Sequence, residues 1–265
     1  MILRSRRDPT FAPLILLNSP EYHFDSPPAG PIFIEDSIPG YLSMALIRNR
    51  NEVSRLEAFS DAVFGFSATL LVVSLQVPAT FDELILELKG FGAFGISFGA
   101  LVLIWSVHNA FFRRYGLQDT ATVILNSILL FVVLFYVYPL KFVVEGLFAT
   151  LFGYGEGQFG IRNIDDLATL FMLYSIGFVA IFLCVSLLYQ HASRLPGGLQ
   201  LDATALRECR FLYRHYLIFV AVGLFSILLA WLRVGINWGL PGFIYSLLGP
   251  LCYVHAVKTH PDRGK

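Results

Sequence analysis

Charge is scarce in this chain. Only 14% of its 265 residues are Asp, Glu, Lys or Arg, against about 25% in soluble domains, and nineteen basic residues cancel nineteen acidic ones. A neutral chain offers no basic field to attract nucleic acid. Cysteine is rarer still. Cys184, Cys209 and Cys252 are widely spaced and odd in number, which excludes a disulfide framework or a CxxC metal or redox motif and leaves them as small apolar packing residues. Enzyme signatures are missing too: there is no HExxH, no GxSxG, no P-loop and no GxGxxG opening a helix. His108 has no second histidine or cysteine at metal-ligand spacing. An intramembrane hydrolase would need paired carboxylates on facing helices, and only Asp61 lies firmly in the first turns of an apolar run. No enzyme, metal or cofactor is expected.

Apolar residues dominate what is present. They make up 56% of the chain, with a mean hydropathy of +0.65, and they gather in runs near the ~20 residues that cross a bilayer core. The reading is an all-α integral membrane protein with six transmembrane helices. Seven of the thirteen prolines fall in residues 1–50, where no helical period survives. That stretch is expected to be a disordered tail or a segment ahead of a start at Met44; FAPLILL at 11–17, after Arg4, Arg6 and Arg7, hints at a signal sequence but is at the short limit, is interrupted by Pro13 and has no small-residue cleavage site close behind it. The transmembrane domain then covers 51–258, with a short tail at 259–265.

Ser54 and Glu57 form a capping box that opens the first helix at Arg55, and the helix ends before Pro78. An amphipathic link, FDELILELKG, precedes a second span at Phe91–Phe112, which carries Gly95 and Gly99 as GxxxG and stops at Arg113 and Arg114. A third span covers Ala121–Val144 and includes Asn126 and Pro139. The fourth covers Leu167–Tyr189, the fifth Phe211–Leu232 and the sixth Trp238–Val257, with a polar link at His191–Arg210. Fifteen of the nineteen Lys and Arg residues fall on one side of these spans; Lys89, Lys141, Arg162 and Arg233 fall on the other. The positive-inside rule then puts both termini in the cytoplasm.

The first span, RLEAFSDAVFGFSATLLVVSLQVP from Arg55 to Pro78, is unusual because polar residues sit within it. Ionisable groups at membrane depth are costly and tend to face a bundle interior or a water-filled path. Projected at about 100° per residue, Phe66, Leu70, Val73 and Val77 fall within about 60° of one another. Ser60, Ser67 and Ser74 form a second stripe beside them, Thr69 flanks the other side, and Asp61 points away. Two readings fit this pattern. Either the apolar stripe packs on lipid or a neighbouring helix, or the serines let copies of this helix approach a symmetry axis while the stripe lines a pore that gates by dewetting.

At RLEAFSD the residues resemble a known signature. Arg55, Phe59, Ser60 and Asp61, spaced R-x-x-x-F-S-D at the start of the first of six spans, are similar to the motif of the transmembrane protein 175 family. Thr69, Leu70, Trp105, His108, Asn126 and Pro139 match its recurring positions. The likeness covers the first three spans by specific residues and the rest by topology. It implies a potassium-permeable channel without the usual re-entrant filter loop, in the prokaryotic single-repeat form that assembles as a homotetramer in the cell membrane. It also implies a constriction of Phe66, Leu70 and Val73, flanked by Thr69 and Ser67, with K⁺ or other monovalent cations or protons as permeant ions. Arg55, Ser60, Asp61, Trp105, His108 and Asn126 would form a polar network holding the helix, with His108 and Asn126 as donors to a buried Asp61. Phe66 departs from the isoleucine usual at the first constriction position. The segment Thr150–Gly155, TLFGYG, looks a little like a TVGYG filter, but the third span runs straight into it, so it is read as a loop.

Two other readings stay open at this stage. One is a proton-coupled secondary transporter using Asp61 and His108 as a relay; the other is a membrane scaffold that carries nothing.

Overall fold

The computed structural model describes residues 53–74, 78–152, 163–195 and 203–259. The tail of residues 1–50, Val77, Gly153–Gly155 and residues 260–265 lie outside the described residues. All regular elements among the described residues are helical. They are α1 (Arg55–Val73), α2 (Phe81–Tyr115), α3 (Thr120–Phe152), α4 (Ile164–Arg194), α5 (Ala203–Trp231), α6 (Leu240–Phe243) and α7 (Leu248–Thr259), with 3-10 turns at Ile236–Trp238 and Ile244–Leu247. Among the described residues, six helical segments can cross a membrane by length and composition: Arg55–Val73, Gly90–Tyr115, Thr120–Phe152, Ile164–Arg194, Ala203–Trp231 and Leu240–Thr259.

The boundaries depart from the sequence reading in instructive ways. The expected link before the second span is helical, because Thr80 Oγ1 accepts the Glu83 N–H at 3.3 Å and Glu83 Oε2 accepts the Ala79 N–H at 2.7 Å. Together they start α2 at Phe81, well before the apolar run. Arg113 and Arg114 do not stop α2; they lie in its last turn, where cations suit the helix dipole. Gly116 ends it, at φ 56°, with its N–H on the Phe112 carbonyl at 2.8 Å; a side chain is strained in that left-handed conformation. Helices α3, α4 and α5 likewise run past their apolar cores. At ~1.5 Å per residue, the 33 residues of α3 exceed the ~30 Å hydrocarbon thickness, so it tilts or projects beyond the core.

The largest correction concerns the last span. Instead of one helix from Trp238 to Val257, it is broken into short α and 3-10 pieces. Gly235 and Gly239 adopt φ 63° and 67°, and Pro241 follows within the first turn of α6.

The core lies between α2, α3, α4 and α5, around fully buried Phe111, Leu129, Val133, Ile181 and Leu188. α4 packs most extensively on α5, while α1 rests on α3 and α2. Lipid is as apolar as leucine, so close packing and internal hydrogen bonds hold such helices together. One buried chain shows this: Tyr245 OH donates to Ser175 Oγ at 2.8 Å, Ser175 pairs with Ser226 at 2.9 Å, and Ser226 Oγ donates to the Pro241 carbonyl at 2.7 Å. It ties the broken last span to α4 and α5. The GxxxG glycines work differently from expectation within the subunit: a Cβ on Gly95 or Gly99 would meet nothing within 4 Å, whereas one on Gly92 would come 2.8 Å from the Phe148 ring.

Candidate functional site: the α1 face and its polar anchor

Helix α1 begins at the predicted capping box. Ser54 N–H donates to Glu57 Oε2 at 2.6 Å, and Glu57 N–H donates back to Ser54 Oγ at 3.2 Å. From there α1 divides lengthwise. Ser60, Phe64, Ser67 and Leu71 are buried. Arg55, Phe59, Ala62, Phe66, Thr69 and Val73 are exposed on the other side, with Phe66 at 58% and Val73 at 77%. Leu70 lies at the margin, half-buried against the core cluster.

The buried face carries the anchor. Asn126 on α3 is the hub: its Nδ2 donates to Ser60 Oγ at 2.9 Å, and its Oδ1 faces His108 Nε2 on α2 at 2.7 Å. With the amide so oriented, His108 Nε2 carries the proton and donates. Ser60 Oγ in turn donates to the Leu56 carbonyl at 2.8 Å. Ser60 and Asn126 are fully buried and His108 is 2% exposed. The imidazole is packed between Phe64 and Phe112, with ring centroids 5.3 Å and 4.6 Å away. A hydrogen-bonded triad on three helices, sealed by aromatic rings, fixes α1 in rotation and height against its bundle.

Asp61 sits elsewhere from the expectation. It is exposed, and its donor is Trp105 Nε1 at 2.7 Å rather than His108 or Asn126. Successive residues on a helix point about 100° apart, so Ser60 and Asp61 cannot share one set of partners. Arg55 is exposed, and its side chain makes no hydrogen bond or ion pair among the described residues. Ser67, expected beside the exposed stripe, is fully buried and donates to the Val63 carbonyl at 2.9 Å. The serine stripe therefore packs α1 onto its own subunit rather than onto copies of itself. Thr69 stays on the exposed side, its Oγ1 on the Phe66 carbonyl at 2.7 Å.

Sequence reasoning missed two sets of contacts. Lys141, counted as a residue flanking a span, is only 9% exposed and reaches the far end of α1, with Nζ 2.8 Å from the Ser74 carbonyl and 2.9 Å from Ser74 Oγ. A cation in the same apolar run as Pro139 was the available signal. At the opposite end, Asp119 between α2 and α3 accepts from Thr122 Oγ1 at 2.6 Å and pairs with His191 of α4 at 2.7 Å. Burial pushes the Asp119 carboxyl upward, but the hydrogen bonds from Thr122 and His191 more than offset it and hold it below the ordinary value. Arg114 forms a two-pronged ion pair with Glu208 of α5 nearby. Among the described residues, no group of three or more His, Cys, Asp or Glu could hold a metal ion.

Comparison with known proteins places this arrangement. The family model for the endosomal/lysosomal potassium channel TMEM175 matches residues 55–136, the stretch that contains all of α1, all of α2 and the Asn126 hub. A potassium channel of Marivirga tractuosa is 37% identical over 213 residues, covering 76% of this chain and 85% of that protein. Another, from Chamaesiphon minutus, is 27% identical over 202 residues, covering 71% and 90%. A crystal structure of a variant of the potassium channel MtTMEM175, in complex with a nanobody-MBP fusion protein, superposes with a TM-score of 0.71 at 34% identity, covering 80% of this chain and 95% of that one. Six apolar helices, relatives that run along most of both chains and a shared fold agree: this multi-pass membrane protein belongs to the TMEM175 potassium channel family, in its prokaryotic form.

Proposed function

We propose that this chain is a potassium-permeable cation channel whose pore is lined by α1 from each subunit of a homotetramer. The observation that carries this reading is the division of α1: one face is bound to its own bundle through Ser60, Asn126 and His108, and the opposite face leaves Phe66, Thr69 and Val73 uncovered. One narrow face cannot enclose a path alone, so several copies around an axis are required. Rings of Phe66, Leu70 and Val73 then form a constriction that closes by excluding water, with Thr69 beside it and Ser67 behind the wall. Four phenyl rings at Phe66 make a tighter closure than smaller apolar groups would, and their faces attract a partly dehydrated cation. Of the expected polar network, Ser60, Asp61, Trp105, His108 and Asn126 keep the wall in register, through the Asn126 bonds to Ser60 and His108 and the Trp105–Asp61 bond, while Arg55 takes no part in those bonds.

In this reading the channel domain is 51–258, both termini are cytoplasmic, no re-entrant filter loop is used, and the residues before and after are tails. The distribution of Lys and Arg supports the orientation. A proton-coupled carrier relaying between Asp61 and His108 is the weaker reading, since these two are hydrogen-bonded to different partners, Trp105 and Asn126. The deciding experiment is potassium and sodium flux through purified protein in liposomes, followed by single-channel recording. Discrete current steps carried by potassium support the channel; a saturable flux driven by a pH gradient, without steps, overturns it in favour of the carrier.

A further inference from the structure

We infer that Lys141 is a positioning residue for the constriction, clamping the end of α1 opposite the Asn126 anchor; this rests on the reading that α1 lines the pore. A helix leaves its last carbonyls without intrahelical donors, and its C-terminus carries partial negative charge. No basic residue lies in the last turn of α1 itself. The missing cation comes from α3 instead. Lys141 Nζ donates to the Ser74 carbonyl at 2.8 Å and to Ser74 Oγ at 2.9 Å, and Ser74 Oγ in turn donates to the Leu71 carbonyl at 2.7 Å. One ammonium thus serves two carbonyls of the final turn, one directly and one through a hydroxyl. Glu145, one turn further along α3, lies 3.3 Å from the same nitrogen. The ammonium has three protons, and these partners occupy them.

The location gives the contact its consequence. Val73, the outermost of the expected constriction residues among those described, immediately precedes Ser74. Phe66 lies nearly two turns away, nearer the Asn126 anchor. Loss of the clamp frays the last turn and moves Val73, while Phe66 stays held. Removing Lys141 leaves the half-buried Ser74 carbonyl without this donor and Glu145 without its ion-pair partner.

Cysteine accessibility in channels reconstituted in bilayers tests this. Val73→Cys and Phe66→Cys are each made with native Lys141 and with Lys141→Met, and modification by a cationic thiol reagent is read as current block; the parent chain with its three native cysteines is the control. The expected result is that Lys141→Met speeds modification of Val73→Cys at least fivefold and that of Phe66→Cys less than twofold. Lys141→Arg should restore the slower rate. Ser74→Ala, which keeps the carbonyl but removes the hydroxyl relay, should give a smaller change in the same direction, and it serves where Lys141→Met does not assemble. If both cysteines block current with Lys141 present but neither Lys141→Met nor Ser74→Ala changes either rate, the positioning role is overturned and the pore reading stands. If neither cysteine blocks current with Lys141 present, α1 does not line the pore and both readings fall.

Discussion

Asn126 donates to Ser60 across 2.9 Å, joining α3 to the first turns of α1, and both side chains are fully shielded from solvent. Through its carbonyl oxygen the same amide engages His108. One side chain on one helix therefore fixes two others, and several measurable consequences come from that arrangement and from the exposed face it leaves behind.

Replacing Asn126 with Leu leaves His108 Nε2 without an acceptor and removes the donor to Ser60 Oγ, which keeps only its bond to the Leu56 carbonyl. A buried unpaired polar group costs roughly 1–3 kcal/mol, whereas side-chain hydrogen bonds inside membrane proteins average only about 0.6 kcal/mol in double-mutant cycles. One buried group loses its partner outright and a second loses one of two bonds, so Asn126→Leu is expected to destabilise by about 1–3 kcal/mol. Thermal unfolding in detergent measures this, and Asn126→Gln should not recover it, because a longer arm cannot meet both partners in the same space.

Trp105→Phe and Asp61→Asn separate charge from hydrogen bonding at the start of α1. The amide oxygen of Asp61→Asn still accepts from Trp105 Nε1, so stability should change by less than about 0.5 kcal/mol, as for most surface substitutions. Trp105→Phe removes the donor and should cost about 0.5–1.5 kcal/mol. If ion flux falls with Asp61→Asn while stability holds, the carboxylate acts on the ions by its charge. Equal losses in both variants would assign it a purely structural task.

In the proposed constriction, Phe66→Ala opens the ring closest to the Asn126 anchor. Conductance is expected to rise severalfold and discrimination between potassium and sodium to weaken, because both depend on how far an ion must shed water to pass. Single-channel recording under mixed potassium and sodium gradients reads both quantities. Unchanged conductance and selectivity would remove Phe66 from the constriction.

Acid should loosen the end of the bundle where Asp119 meets α4. Its carboxyl is held below the ordinary value of 3.8 by hydrogen bonds from Thr122 and His191, which outweigh the opposing effect of burial. A carboxylate whose folded value is depressed stabilises the fold above its unfolded value, and this contribution is lost as pH falls through the folded value. Stability should therefore decline below about pH 4. In Asp119→Asn that part of the decline should disappear. Thermal unfolding between pH 7 and pH 3 measures it.

Much of the architecture was legible because a bilayer imposes one strong rule. Each span must be apolar for about 20 residues and satisfy its own backbone, so six runs of suitable length predicted six helical spans. The capping box at Ser54 and Glu57 was legible for a local reason, since both bonds lie within one turn. Helix ends were less so. The start of α2 at Phe81 depends on Thr80 and Glu83, outside the apolar run, and hydrophobicity says nothing about helix that continues into water. The broken last span was missed because glycine and proline are tolerated in membrane helices where neighbours re-satisfy the backbone; here Ser226 does so for Pro241.

The two faces of α1 were legible, and the partners of its residues were not. R-x-x-x-F-S-D marked the start of α1, and helical periodicity by itself separated Phe66 and Val73 from the serines. Periodicity gives angles around one axis. It does not say which angle faces a neighbour, and only the placement of α3 and α2 decided that Ser60 and Ser67 point inward, that Asp61 meets Trp105, and that Lys141 reaches Ser74. The sequence alone determined the membrane class, the spans and a two-faced first helix, because these follow from local composition and a fixed helical repeat. Tertiary structure decided which face is bound and which is free, because contacts between residues far apart in the chain depend on how whole helices pack.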